Sequence, residues 1–205
     1  PAAAATPTAT RGEPVTTIKI DPTPGTKIVE VATRFLGLVE TASNAAWDDL
    51  STAGADARAL ELSRAREAVG WQAGWPYCAA FCEAVWRQAY TELGATTVLI
   101  QQIATKLTPS VMQSFENWKD DISSTPEPGA IFFMQKGATE QGHAGIVVRA
   151  QDDRMSTIEG NTSPDPQDAA ADREGDGIFR RVRSLDMTPK VGLWLRGFLV
   201  PLEIL

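Results

Sequence analysis

The spacing of apolar residues predicts helices in the first part of the chain. Positions 28, 29, 32, 35, 36 and 39 are apolar and recur at helical spacing, with Thr26 as the expected cap and Gly37 near the end. Further helices are expected over residues 57–69, 78–93 and 110–118. The 57–69 segment is dense in Arg and Glu on one side, which we interpret as a solvated face.

The second part of the chain has the pattern of strands. Residues 130–134 follow the Pro128-Gly129 pair with an unbroken apolar run, which indicates a buried strand. More strands are expected at 143–148, 156–159, 177–182 and 193–201, and a polar, Pro-rich surface loop at 160–175. Helices followed by a set of antiparallel strands are typical of an α+β fold and not of an alternating α/β fold.

The start of the chain has a different composition. Four prolines, at positions 7, 14, 22 and 24, stand among Ala and Thr, and such a segment does not pack a core. We expect residues 1–26 to form an arm or linker, in which residues 18–20 could add a short edge strand. Residues 27–205 are long enough for one domain with a substantial core.

The charge and the hydropathy of the chain limit the classes of partner that it can have. A net charge of −7 argues against a nucleic-acid partner, because phosphate backbones attract basic proteins. No apolar run approaches the roughly 20 residues that a membrane span needs. The sequence begins at Pro1 and not at Met, so we expect that an upstream segment was removed, with which a signal peptide could have gone.

Cys78 has the setting of a reactive cysteine. Gly74 and Pro76 break the chain just before it, and the small and apolar residues that follow predict a helix beginning at Cys78. The free N–H groups and the positive dipole end of a helix start favour a thiolate over a thiol. Cys82 lies one turn later and is expected to be a core residue. Two cysteines one turn apart do not resemble a disulfide framework.

A nucleophilic cysteine needs a base, and His143 is the only histidine in the chain. It starts a predicted strand, and Glu159 and Asn161 stand at the end of the next strand. If these strands are neighbours, Glu159 or Asn161 could hold the imidazole in one tautomer, as the third member of a triad does. A zinc site made of Cys78, Cys82 and His143 would lack a fourth ligand, so we expect no metal and no other cofactor.

Four motifs, in order, resemble one known family. They are Y-C-A-A-F around Cys78, P-G-A-I-F-F from Pro128, G-H-A-G-I-V around His143 and I-E-G-N-T around Glu159. These motifs resemble the CHAP family, the cysteine, histidine-dependent amidohydrolases/peptidases, which are similar to NlpC-type papain-like enzymes. The resemblance covers roughly residues 27–200. The chain departs from the family pattern at Tyr77, where the family usually has Trp, and at Cys82, where it often has a branched aliphatic residue.

The resemblance implies a papain-like α+β fold, with the nucleophile helix packed on an antiparallel sheet. It also implies hydrolysis of amide bonds in bacterial peptidoglycan, either at the N-acetylmuramoyl-L-alanine bond or within the peptide stems, in a secreted, periplasmic or phage-associated protein. By motif, Cys78 is the nucleophile, His143 the base, Glu159 the residue that orients His143, and Asn161 a fourth polar member of the site.

Three aromatic residues near the cysteine are candidates for substrate binding. They are Tyr77, Trp75 and Trp71. Trp71 and Trp75, together with Trp86, could form a wall for peptide or sugar rings, or these tryptophans could instead fill the core around the cysteine helix. Two other functions stay open at this point. The departures around the cysteine allow a catalytically inactive papain-like module that binds peptides, and the same thiol chemistry would serve a cysteine peptidase that acts on proteins.

Overall fold

The computed structural model describes residues 23–40, 56–163, 175 and 177–204. Within these residues five α-helices and one short 3-10 helix, Lys119–Asp121, precede one antiparallel sheet of six strands, which confirms the α+β class. The helices are α1 Pro24–Arg34, α2 Ala57–Ala68, α3 Cys78–Glu92, α4 Thr97–Lys106 and α5 Val111–Asn117. The strands are β1 Ile122–Ser123, β2 Ile131–Lys136, β3 Gly142–Gln151, β4 Arg154–Thr162, β5 Gly177–Ser184 and β6 Leu193–Leu199.

The helix α3 lies at the centre of the fold. It contacts α1, α2 and α4 on the helical side and β3 and β4 of the sheet, and eleven of its fifteen residues are buried. The strand order is β1-β6-β2-β3-β4-β5, so β3 and β4, the strands that α3 contacts, are neighbours within the sheet. Consecutive side chains of a strand point to opposite faces. In β2, accordingly, Ile131 and Phe133 join the core beneath the helices, whereas Phe132 and Met134 join a second apolar cluster.

The start of α1 differs from the sequence prediction. Thr23 and not Thr26 is the cap, because its hydroxyl accepts a hydrogen bond from the Thr26 amide at 3.3 Å. Pro24 then occupies the first turn, where a missing N–H costs nothing. The helix therefore begins inside the segment that was expected to be an arm. Residues 1–22, including the edge strand expected at 18–20, lie outside the described residues.

Two elements were not predicted, and one predicted loop is shorter than expected. The segment of α4 is rich in β-branched residues, and Ile103 is its one fully buried apolar side chain, so its helical pattern is weak. The strand β1 has only two residues. The strand β4 continues through Thr162, so residues 160–162 belong to the sheet and not to the predicted loop. Residues 164–174 of that loop lie outside the described residues.

A close backbone contact joins the start of α1 to the turn before β2. A Cβ atom built on Gly129 would lie 2.6 Å from the Cα atom of Gly25, and one built on Gly25 would lie 2.3 Å from the Pro128 carbonyl oxygen. The carbonyl of Gly129 also accepts a hydrogen bond from the indole of Trp86, a buried residue of α3, at 3.1 Å. Glycine at both positions therefore allows α1, α3 and the sheet to meet.

We predict that Gly129→Ala destabilises the protein more than Gly70→Ala. Both glycines have a φ of +84°, so both alanines carry the left-handed backbone penalty of about 1–2 kcal/mol. Nothing lies within 4 Å of a Cβ atom at Gly70, whereas Gly129 meets Gly25. Overpacking should raise the loss in free energy of unfolding for Gly129→Ala to about 2–5 kcal/mol. Urea denaturation measures both losses, and equal losses would contradict the close contact.

Candidate active site

Cys78 is the first residue of α3, and Tyr77 precedes it as the N-cap. The bend before it includes Gly74, whose φ is +87° and therefore suits glycine. The thiol is 5% exposed and lines a groove at the surface of the protein. The helix start thus lies where the sequence predicted it, with the sulfur at the edge of a space that another molecule could enter.

His143 is the second residue of β3, and its ring is buried. Its Nε2 atom lies 2.9 Å from Oε2 of Glu159 on the neighbouring strand β4. Nδ1 is therefore the ring nitrogen left for Cys78, and the thiol is near enough for the two groups to shift each other's pKa. Cys78, His143 and Glu159 form a continuous series although they are up to 81 residues apart in the sequence.

The thiol and the imidazole shift each other's pKa in opposite directions. Burial raises the pKa of Cys78, but the hydrogen bond and charge of His143, with smaller contributions from the amides of Ala144 and Ala79, outweigh it and lower that pKa below its usual value. Burial lowers the pKa of His143, but the partners Cys78 and Glu159 raise it to about 9. Both directions favour a thiolate beside an imidazolium at neutral pH.

The carboxylate of Glu159 is fully buried and accepts four hydrogen bonds. Besides His143, the hydroxyl of Thr157 donates to Oε1 at 2.6 Å. The guanidinium of Arg183 on β5 donates to both oxygens, from Nε to Oε1 at 2.9 Å and from Nη2 to Oε2 at 2.5 Å. Burial raises the pKa of Glu159, but Arg183 and His143 lower it far below its usual value, so the group is an anion.

Gly145 leaves room for the Glu159 side chain on the sheet. A Cβ atom at Gly145 would lie 2.7 Å from Cγ of Glu159 and 2.7 Å from the ring of Phe132. Real Cβ atoms essentially never come so close to another heavy atom. The glycine two positions after His143 therefore lets the carboxylate lie flat across β3 and reach the imidazole.

Asn161 contacts the residue before the cysteine. Its Oδ1 atom accepts a hydrogen bond from the Tyr77 amide at 3.3 Å, and both residues are buried. Asn161 has a φ of +56°, the left-handed conformation that Asn tolerates better than most residues. This bond ties the end of β4 to the start of α3 and so holds the backbone next to Cys78.

Of the three predicted substrate-binding aromatics, two are core residues. Trp71 and Tyr77 are 4% and 0% exposed, because the buried guanidinium of Arg66 stacks on both rings, at 4.1 and 4.8 Å from their centroids. Arg66 also corrects the expectation that the charged side of residues 57–69 is solvated throughout. Trp75 is 45% exposed and does line the groove, so it remains the one candidate of the three for substrate contact.

The groove beside Cys78 has a volume of about 410 Å³ and lies between three loops. Residues 75–76 before α3 form one side, residues 108–111 between α4 and α5 another, and residues 140–142 before β3 the third. Within this lining Glu140 is the one charged side chain.

Cys82 is buried in the core, as the sequence predicted for a structural thiol. Burial and the nearby negative charges of Cys78 and Glu159 raise its pKa well above the usual value, so it remains a thiol. In the described residues no group of three or more His, Cys, Asp or Glu side chains is arranged to hold a metal ion. The same residues include no helix with the length and apolar character needed to cross a bilayer.

Three residues that build the site were missed by the sequence analysis: Thr157, Gly145 and Arg183. The alternation of β4 places Thr157 on the face of Glu159, which a T-x-E pattern on a strand could have indicated. Arg183 reaches Glu159 because of the register between β5 and β4, which places Arg183 opposite Met155. The pairing of β5 with β4 cannot be deduced from a short segment of the sequence, so no local pattern indicates the role of Arg183.

A cysteine at a helix start, joined to an imidazole that a buried carboxylate holds, is the arrangement of thiol-dependent hydrolases. The family model of the CHAP domain matches residues 68–161, which include Cys78, His143, Glu159 and Asn161. This match confirms the resemblance seen in the motifs: residues 68–161 are similar to the CHAP domain. CHAP domains are typically hydrolases of peptidoglycan. Neither the curated proteins nor the solved structures include a match to the chain.

We predict that iodoacetamide alkylates Cys78 rapidly at neutral pH and that His143→Ala slows this reaction. Without the imidazolium, burial raises the pKa of the thiol against only the smaller effects of the Ala144 and Ala79 amides, and each unit of increase lowers the thiolate fraction about tenfold. The rate should therefore fall at least about tenfold at neutral pH and recover only in alkaline buffer. Mass spectrometry of the labelled peptide measures the rate.

The Cys82→Ala variant is the control, because it leaves Cys78 as the only thiol of the chain. Its labelling rate should equal that of the unaltered protein. Slow labelling with an ordinary thiol pH dependence in both this variant and the unaltered protein would contradict the thiolate–imidazolium pair.

Proposed function

We propose that the protein is a cysteine-dependent hydrolase that cleaves amide bonds in bacterial cell-wall peptidoglycan. The bond is either the N-acetylmuramoyl-L-alanine amide or an amide within the peptide stem. The observation that carries this proposal is the set of Cys78 thiol, His143 imidazole and Glu159 carboxylate beside an open groove, in which the imidazole is bonded to the carboxylate and shares a mutual pKa shift with the thiol. The match of residues 68–161 to the CHAP domain supports peptidoglycan as the substrate.

The reaction proceeds through a thioester. The Cys78 thiolate attacks the carbonyl carbon of the scissile amide, and the carbonyl electron pair moves to oxygen. Backbone N–H groups at the start of α3 stabilise this oxyanion. The His143 imidazolium gives its proton to the leaving nitrogen, the C–N bond breaks, and the amine departs.

Hydrolysis of the thioester returns the site to its first state. The neutral His143 imidazole takes a proton from water, and the hydroxide attacks the thioester carbon. The C–S bond then breaks, which yields a carboxylic acid, the Cys78 thiolate and the imidazolium. Each proton that the imidazole accepts or gives passes through Nδ1, because Glu159 occupies Nε2. No metal takes part in these steps.

Two further residues act by positioning. Glu159 holds the imidazole ring and stabilises its charged form, as the carboxylate of a triad does. Asn161 holds the backbone at Tyr77, so that the nucleophile and the N–H groups after it keep their places. We also propose that the domain has a papain-like arrangement, in which the helix of the nucleophile packs on the central sheet.

Trp75 is the residue that we assign to substrate contact within the groove. Its exposed indole can pack against a peptide or a sugar ring, and Pro76 and Pro109 extend the same apolar surface. Cleavage of cell-wall peptides would place the protein outside the cytoplasm or in association with a phage particle.

We predict that the purified protein releases soluble muropeptides from bacterial cell walls and that Cys78→Ala abolishes the release. Loss of the nucleophile removes the thioester route, so activity should fall by about 10³-fold or more. Mass analysis of the released fragments identifies the bond, since an amidase frees intact stems and an endopeptidase shortens them. Cys82→Ala, which alters only a core thiol, should retain activity as long as it remains folded.

Equal release by the unaltered protein and by Cys78→Ala would end the proposal. Two other functions predict different outcomes, which the muropeptide assay and a casein digestion together distinguish. Rapid digestion of unfolded casein with no muropeptide release would identify a peptidase of proteins. Tight retention of wall peptides without turnover by both proteins would identify a binding module.

A further inference from the structure

We propose that Arg183 is a positioning residue of this site, which holds the Glu159 carboxylate in the orientation that contacts His143. This inference rests on the proposed function, since it assigns the residue a part in the same reaction. Arg183 lies on β5, outside the segment that matches the CHAP family model, and no motif in the sequence points to it.

The geometry of the pair is specific to a guanidinium. Nε and Nη2 of Arg183 donate to the two different oxygens of Glu159, at 2.9 and 2.5 Å, which makes a two-point contact. A carboxylate held at both oxygens cannot rotate about its last bond without breaking one of these contacts. Lysine carries the same charge but has no fork that could bind both oxygens in this way.

The sheet register explains how the guanidinium reaches the carboxylate. Met155 of β4 lies opposite Arg183, and Glu159 lies on the same face four residues further along β4. The Arg183 side chain therefore extends along the sheet towards Glu159, on the face that Thr157 shares. Thr157 takes one remaining position on Oε1, which leaves Oε2 directed at Nε2 of His143.

Burial makes this contact matter to the chemistry. Glu159 is 0% exposed and the Arg183 side chain is 10% exposed, so water does not replace the guanidinium easily if it is removed. An uncompensated buried carboxylate takes up a proton or turns away, and in either case the support for the imidazolium is lost. Arg183 also lowers the pKa of Glu159, which keeps the carboxylate ionised over the working pH range.

The test compares Arg183→Gln, Arg183→Lys and the control Arg180→Gln. Arg180 is an exposed arginine on the same strand, so its replacement makes the same change in net charge without touching Glu159. Two quantities are measured across the pH range for each variant: kcat/KM for muropeptide release, and the iodoacetamide labelling rate of Cys78 in a Cys82→Ala background. The labelling rate needs no substrate and no turnover.

We expect Arg183→Gln to lower kcat/KM by about 10–100-fold, mainly through kcat, and to lower the labelling rate at neutral pH by about tenfold. The acid limb of the kcat/KM profile of this variant should move to higher pH, because burial raises the pKa of Glu159 once the guanidinium is gone. Arg183→Lys should recover part of both losses, and Arg180→Gln should match the unaltered protein.

A double-mutant cycle separates positioning from folding. If Arg183 acts through Glu159, then Arg183→Gln should have little further effect on labelling in a Glu159→Gln background. That background also removes the uncompensated charge, so the pair remains measurable if Arg183→Gln alone unfolds. Far-UV circular dichroism monitors the fold of every variant.

Two results would overturn the inference. One is an Arg183→Gln variant with unaltered kcat/KM, labelling rate and pH limbs. The other is losses by Arg183→Gln that persist in full in the Glu159→Gln background. The labelling arm also distinguishes this failure from a failure of the proposed function. A protein that releases no muropeptides but whose labelling depends on Arg183 would refute the function and retain the positioning role.

Discussion

A buried carboxylate is the charge on which the rest of the site depends. Glu159 has no access to water, and an isolated carboxylate in such a place would be neutral. Four hydrogen bonds, two of them from a guanidinium, keep it an anion. Its charge and the Cys78 thiol together raise the pKa of His143, and His143 in turn lowers the pKa of Cys78. The reactivity of the thiol thus depends on Glu159, which acts on Cys78 through His143.

The fold supplies this arrangement by bringing a helix start to the middle of a sheet. The helix α3 is buried on nearly every side, so its first residue is fixed by the core and not by a local cap. The bond from the Tyr77 amide to Asn161 joins that helix start to β4, the strand that carries Glu159. The positions of Cys78 and Glu159 are therefore coupled through β4, which carries both Glu159 and Asn161. The neighbouring strand β3 carries the imidazole of His143.

Local patterns predicted most elements, the candidate reacting groups and Glu159, but not α4, β1 or the more distant groups that support the site. The break at Gly74 and Pro76 indicated the start of α3, and the single histidine at a strand start indicated the candidate base. Each of these signals is contained in a few consecutive residues. Arg183 and the cation–π stack of Arg66 depend on strand register and on tertiary packing, which no short window contains. The same limit explains why Trp71 and Tyr77 were candidates for substrate contact although both are buried in the core.

The thiolate–imidazolium pair is tested most directly by nitrogen-15 NMR of the histidine ring, because His143 is the only histidine in the chain. The account predicts a ring that is doubly protonated at neutral pH and loses a proton only near the raised pKa of about 9. In Cys78→Ala the ring should lose this proton at a lower pH, because one of the two groups that raise its pKa is gone, and the neutral ring should carry its remaining proton on Nε2, towards Glu159. An imidazole that titrates at its ordinary pKa in both proteins, or that carries its neutral proton on Nδ1, would contradict the account.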